Sequence, residues 1–149
     1  MRSRSLIIAV LLAIATALVA LPVRLLAVGT VTTTSTAMTS TLTRISIAWT
    51  STAGGAVSGN AFATKRARIR QVKFVPGAGG TQPTDLYDVT LVDANGVDLL
   101  FGAGADLSNA TSKIARLDPM VLIEPSGTVD LVVANAGSAK TGTVLLWVE

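Results

Sequence analysis

The side chains in this sequence that can do acid–base or anion chemistry fall into two clusters. They are five aspartates between Asp85 and Asp106 and a basic run from Lys65 to Lys73. There is no histidine and no cysteine. Without an imidazole or a thiolate, Ser-His-Asp and cysteine catalysis, disulfide stapling and the usual zinc and haem sites are excluded. Carboxylate, lysine or backbone chemistry remains, or none at all, and no catalytic residue, metal site or cofactor is expected.

The aspartates are Asp85, Asp88, Asp93, Asp98 and Asp106. Asp93-Ala-Asn-Gly-Val-Asp98 has the flavour of a calcium loop. An EF-hand loop, however, needs oxygen ligands at fixed positions over twelve residues, ending in a glutamate. That spacing is absent, so the segment reads as a hairpin turn with solvated carboxylates in preference to a cation site or a glycosidase pair. In the basic run, Arg66, Arg68 and Arg70 fall on one face of a strand, flanked by Lys65 and Lys73. Such a ladder is an exposed strand face or a contact for an acidic neighbouring copy. Nucleic acid is set aside as a partner, because only Phe74 lies close enough to stack on bases.

Asn135-Ala-Gly-Ser-Ala-Lys140-Thr141-Gly142 is superficially a phosphate loop. It lacks both the glycine before the lysine and a following helix, so it reads as a hairpin loop. Asn109-Ala-Thr111 matches a glycosylation sequon too common to carry weight. Trp49 and Trp147 stand among aliphatic residues and read as core or sheet-face packing.

The elements that must position these residues are mostly strands. Half of the 149 residues are apolar and only 14% are charged, which excludes a disordered tail and leaves room for one domain. The net charge of +3 is unevenly spread. Residues 1–84 hold nine basic and no acidic side chains, and residues 85–149 hold three basic and nine acidic, so the halves carry +9 and −6. A split of this kind suits self-complementary surfaces at least as well as nucleic acid.

Leu6 to Val23 runs eighteen residues without a charge, between Arg2 and Arg4 on one side and Arg24 on the other. As a helix it is about 27 Å long, close to a bilayer core of about 30 Å. A retained anchor is the first reading, carried by Leu6, Ile7, Ile8, Val10, Leu11, Leu12, Ile14, Leu18, Val19 and Leu21. A signal peptide cleaved after Ala15-Thr16-Ala17 and a helix buried among its own copies remain open.

Val31 to Thr43 is uncharged and rich in Thr and Ser, a spacer or an edge strand of loosely specified register. Beyond it, Ile45, Ile47 and Trp49 alternate with Arg44, Ser46 and Ala48. Ala67 and Ile69 alternate with Arg68 and Arg70, and then the phase flips to Val72 and Phe74, the sign of a β-bulge. Pro76 to Pro83 is a glycine-rich loop, Tyr87 to Val92 a strand, and Asn95-Gly96 a hairpin turn with a return strand over Val97 to Phe101. Short strands are expected over Ser112 to Leu117, Met120 to Ile123, Thr128 to Ala134 and Thr143 to Val148. No 3.6-residue period follows Arg24. The expected fold class is all-β: an antiparallel β-sandwich, jelly-roll or immunoglobulin-like, preceded by one hydrophobic N-terminal helix. Residues 1–28 form the leader, 29–43 the tether and 44–149 the sandwich domain.

Phe74 to Thr111 and Leu131 to Val148, 38 and 18 residues long, carry a resemblance covering a little over a third of the chain. Within them stand Pro83-Thr84-Asp85-Leu86-Tyr87-Asp88-Val89-Thr90-Leu91, Asn95-Gly96-Val97-Asp98 and Val133-Ala134-Asn135-Ala136-Gly137-Ser138-Ala139-Lys140-Thr141-Gly142. The chain resembles small β-sandwich structural, virion-associated proteins of tailed bacteriophages and prophages; the hydrophobic leader departs from that pattern. The resemblance implies a non-enzymatic virion protein of capsid, spike or tail, assembling in multiple copies with itself and other virion proteins. In that picture the leader anchors the chain in a membrane or helical bundle. Lys65, Arg66, Arg68, Arg70 and Lys73 then face Asp85, Asp88, Asp93 and Asp98 of a neighbouring copy. The alternative is an exported, membrane-anchored binding or adhesion module of a bacterial envelope, with its ligand at the glycine-rich loop.

Overall fold

The structure, a computed structural model, describes residues 29–58, 61–63, 67–123 and 127–149. The leader, Lys65, Arg66 and Glu124 to Ser126 lie outside the described residues. Among the described residues no helix is long and apolar enough to cross a membrane.

Among the described residues eight strands form two antiparallel sheets: β1 (Thr30–Ala37), β2 (Thr43–Thr50), β3 (Ala61–Ala63), β4 (Ala67–Pro76), β5 (Asp88–Val92), β6 (Lys113–Ile123), β7 (Thr128–Ala134) and β8 (Thr141–Val148). A 3-10 turn, Gly79–Thr81, sits in the glycine-rich loop. The larger sheet has the order β1-β2-β8-β4-β6 and the smaller β3-β7-β5. From β2 onward every connection passes from one sheet to the other, and the pairs β2–β8, β3–β7 and β4–β6 are nested inside one another. The chain is thus one long hairpin wrapped on itself, with β5 near its tip.

Alternation explains which face of each strand is inside. Ile45, Ile47 and Trp49 of β2, Val144, Leu146 and Val148 of β8, Val89 and Leu91 of β5, and Val129, Leu131 and Val133 of β7 are all buried in a single cluster. Each such side chain stabilises the fold by roughly 1.5–3 kcal/mol through its removal from water. Trp49 and Tyr87 join the two sheets directly, with ring centroids 5.9 Å apart and planes tilted by 50°.

The phase flip in β4 is a real bulge. Ile69 pairs with Val148 and Val121, Gln71 with Trp147 and Arg116, and Arg70 between them has no ladder partner. On the β6 side Leu117 to Met120 occupy the same gap, which lets a strand containing Pro119 continue. The expectation of two strands there is corrected to one. Proline, lacking an N–H, is tolerated at a bulge in an edge strand, and β6 is an edge.

One open alternative is decided, for the edge strand over the spacer, and one expectation changes. The Thr/Ser-rich run forms edge strand β1, in register with β2 from Thr30↔Thr50 to Ala37↔Thr43. The return strand over Val97 to Phe101 is not a strand. Instead, Asp98 to Leu107 follows the free edge of β5 irregularly: Leu99 N–H donates to the Leu91 carbonyl (2.7 Å), Val89 N–H to Gly104 (2.8 Å) and Leu107 N–H to Tyr87 (2.8 Å). The segment closes that edge without a ladder. At Gly104 a Cβ would run into the Val89 carbonyl, so only glycine allows this approach.

Candidate functional site

The two outer sheet faces carry opposite charge. Directly paired residues share a face. On the larger sheet Arg44 stands opposite Trp147, Trp147 opposite Gln71, and Gln71 opposite Arg116, one row across four strands. The next row is Ser46, Leu145, Lys73 and Ile114. The half-buried Trp147 and Leu145 and the exposed Ile114 therefore lie among cations. Arg68 and Arg70 are exposed at the same end of this sheet.

Arg70 Nη1 donates to Glu149 Oε1 at 2.7 Å, the one ion pair found among the described residues. With the arginine side chain 54% exposed, solvent screening leaves that pair little energy. Arg44, Arg68, Lys73 and Arg116 form no ion pair among the described residues. The Arg44 Nε is buried and unbonded.

At the other end of this face threonines take over. Thr30, Thr50 and Thr141 align, as do Thr32, Ala48 and Thr143. The small Ala48 side chain leaves a shallow groove of about 250 Å³ that reaches Pro76 and Gly77, the start of the glycine-rich loop. That loop is pinned by Lys140 Nζ donating to the Gly80 carbonyl (3.0 Å) and Gln82 Nε2 to that of Asn109 (2.9 Å).

The smaller sheet turns Asp88, Thr90 and Val92 of β5 and Asp130, Val132 and Ala134 of β7 outward, all half-buried. Around it Asp85, Asp93 and Asp98 of the loops, like Asp88, accept from backbone N–H groups. Asp85 Oδ1 accepts from Asn109 N–H (3.1 Å). Asp88 accepts from Asp106 N–H and from Asn135 Nδ2, both at 3.0 Å. Asp93 Oδ1 accepts from Asn95 and Val97 N–H, both at 2.9 Å. The Val97 N–H, with weaker help from Asn95 and Gly96, holds the Asp93 carboxyl below the usual carboxylate range. Asp98 caps the turn that follows it, accepting from Leu100 N–H (3.0 Å), Gly102 N–H (2.9 Å) and, more weakly, Leu91 N–H (3.3 Å).

Three bulky apolar side chains are exposed in the loops on either side of β5: Leu86, Val97 and Phe101, the last 73% exposed. Leu86 and Phe101 also hold positive φ, at 62° and 50°. Backbone of that kind persists only where the surroundings fix it.

The residues expected to matter are thus partly brought together. Arg68, Arg70 and Lys73 share the outer surface of the larger sheet; of the aspartates, Asp88 faces outward on the smaller sheet, Asp85 and Asp93 lie beyond opposite ends of β5 and Asp98 along its free edge, and Lys65 and Arg66 lie outside the described residues. Arg44, Arg116, Leu145, Trp147 and Ile114 were not foreseen as part of the basic surface. Alternation places each of them on a polar face, but which strands lie side by side is a long-range fact with no local signal. Among the described residues no three His, Cys, Asp or Glu side chains group to hold a metal ion. Comparison with family models, curated proteins and solved structures finds no match.

Proposed function

We propose that this chain is a non-enzymatic structural protein of a phage virion, a β-sandwich of capsid, spike or tail that assembles in many copies and is held by its hydrophobic N-terminal helix, Leu6 to Val23. The observation that carries the proposal is the division of charge between two outer faces of one core. Arg44, Arg68, Lys73 and Arg116 stand without ion-pair partners among the described residues, while Asp88 and Asp130 face outward on the smaller sheet with Asp85, Asp93 and Asp98 in the loops beside β5. Surfaces so arranged serve contacts between copies, and a repeating shell or fibre needs such contacts and no active site.

The topology supports the same reading. The nested pairs β2–β8, β3–β7 and β4–β6 are the strand order of a jelly roll, an architecture that recurs in viral capsid domains; β1 adds one edge strand to it. An immunoglobulin-like sandwich pairs its strands differently. Fold alone does not fix a role, so the virion assignment rests on this charge division together with the resemblance in Phe74 to Thr111 and Leu131 to Val148. Particles purified on a density gradient from a producing culture should contain the chain in constant ratio to their main coat protein. A chain found only in the cell envelope contradicts the proposal.

One observation favours a second reading. The threonine-lined groove beside Gly77 sits where an exported, membrane-anchored binding module would hold its ligand. That module would stay monomeric and appear in the envelope fraction.

A further inference from the structure

We infer that copies of this chain join head to tail, the acidic face of one seated on the basic face of the next, through a heterologous contact and not a two-fold one. The inference rests on the assembly reading above and specifies its geometry. Outward Arg44, Lys73 and Arg116 stand on the larger sheet and outward Asp88 and Asp130 on the smaller, with the core between them. A two-fold contact puts the same patch against itself. Here that would set Arg44, Arg68, Lys73 and Arg116 against the same four cations, or the aspartates against each other, and like charges brought together at an interface are strongly unfavourable. Charge is matched only when different faces meet.

Shape and apolar content agree with charge. On the basic face Trp147 and Leu145 lie together on β8, between Arg44 of β2 and Gln71 and Lys73 of β4, and Ile114 lies beyond Lys73 on β6. In the loops beside β5, Leu86, Val97 and Phe101 are exposed on backbone that hydrogen bonds already fix. Interfaces of this kind combine aromatic and aliphatic anchors with a charged rim. The acidic side is also pre-ordered, because Asp85, Asp88, Asp93 and Asp98 each hold backbone N–H groups, so little freedom is lost on docking. Lys73 and Arg116, free of intrachain ion pairs among the described residues, supply the partners. A heterologous contact repeats: it closes into a ring if the rotation allows and otherwise runs on as a filament. The competing route is pairing of the uncharged free edge of β1 with β1 of a second copy, which is two-fold and indifferent to both charged faces.

The test uses two variants of the full chain in mild detergent, with mass read by light scattering at low salt. The first, Lys73→Glu with Arg116→Glu, reverses the basic face at residues that make no intrachain ion pair. The second, Thr90→Arg, puts a cation in the middle of the acidic face at an outward, half-buried position. Circular dichroism and the unfolding midpoint establish that each is folded. Each variant alone should assemble at least about 100-fold more weakly than the native chain. Mixed in equal amounts they should form a complex of two chains that grows no further, because each supplies one intact face. If the native chain assembles but the mixture yields no complex, or if each variant alone assembles as the native chain does, head-to-tail docking is wrong while the assembly reading stands. A native chain that is monomeric at low salt removes the assembly reading itself.

Discussion

Tyr87 lies at the seam between the two sheets, 1% exposed and packed on Trp49. Burial pushes its hydroxyl up to about 12 from an ordinary value near 10. Its folded value lies above the unfolded one, so its contribution is complete below about pH 10 and is lost as the pH rises toward 12. Across that window stability should fall by about 1.4 kcal/mol for each pH unit. Because it is the only tyrosine in the chain, the tyrosinate absorbance reports it alone: a midpoint near 12 is expected, and a midpoint near 10 would show an accessible ring. Asp98 makes a second prediction at this scale. It was read from the sequence as a solvated carboxylate at a hairpin, yet it accepts from the N–H groups of Leu91, Leu100 and Gly102. Asp98→Ala should cost about 1–3 kcal/mol in a urea titration, and Asp98→Asn, which keeps one acceptor oxygen, should recover part of that.

At the scale of elements, what could be read from the sequence was whatever repeats every second residue. The buried faces of β2, β5, β7 and β8 and the bulge in β4 follow from alternation, including the phase flip after Arg70. Two features were not legible because long-range contacts decide them. The sequence reads as two strands, Ser112 to Leu117 and Met120 to Ile123, on either side of Asp118-Pro119; a bulge at a sheet edge lets one strand run through the proline. Val97 to Phe101 follows the hairpin-type turn Asn95-Gly96 and so reads as a return strand, but Asp98 draws the backbone into a turn and the segment then closes the edge of β5 through Gly104. Gly104→Ala should therefore detach that segment from Val89 and destabilise the fold by about 1–3 kcal/mol, the cost of forcing backbone apart in a packed region. Protease cleavage between Asp98 and Leu107 should rise with it; unchanged stability and cleavage would show that the close approach is not needed.

For the whole molecule, the sequence shows the imbalance of +9 and −6 but not where it lies in space. The nested pairing supplies that. β2, β4 and β6 bring Arg44, Lys73 and Arg116 to the outer face of the larger sheet, around Trp147 of β8. β5 and β7 turn Asp88 and Asp130 to the outer face of the smaller sheet, with Asp93 at the end of β5 and Asp98 along its edge. The two halves of the chain are interleaved strand by strand, yet their charges separate, and this separation is the central claim about what the molecule does. At about 1 M salt the Debye length falls to about 3 Å, so exposed charges on two copies no longer attract one another across an interface. The direct test is the mass of the full chain in mild detergent, measured by light scattering at low salt and again at about 1 M. The separation of charge predicts a multimer at low salt that dissociates toward the 15.2 kDa protomer at high salt. A mass that does not change with salt, whether protomer or multimer, would contradict it.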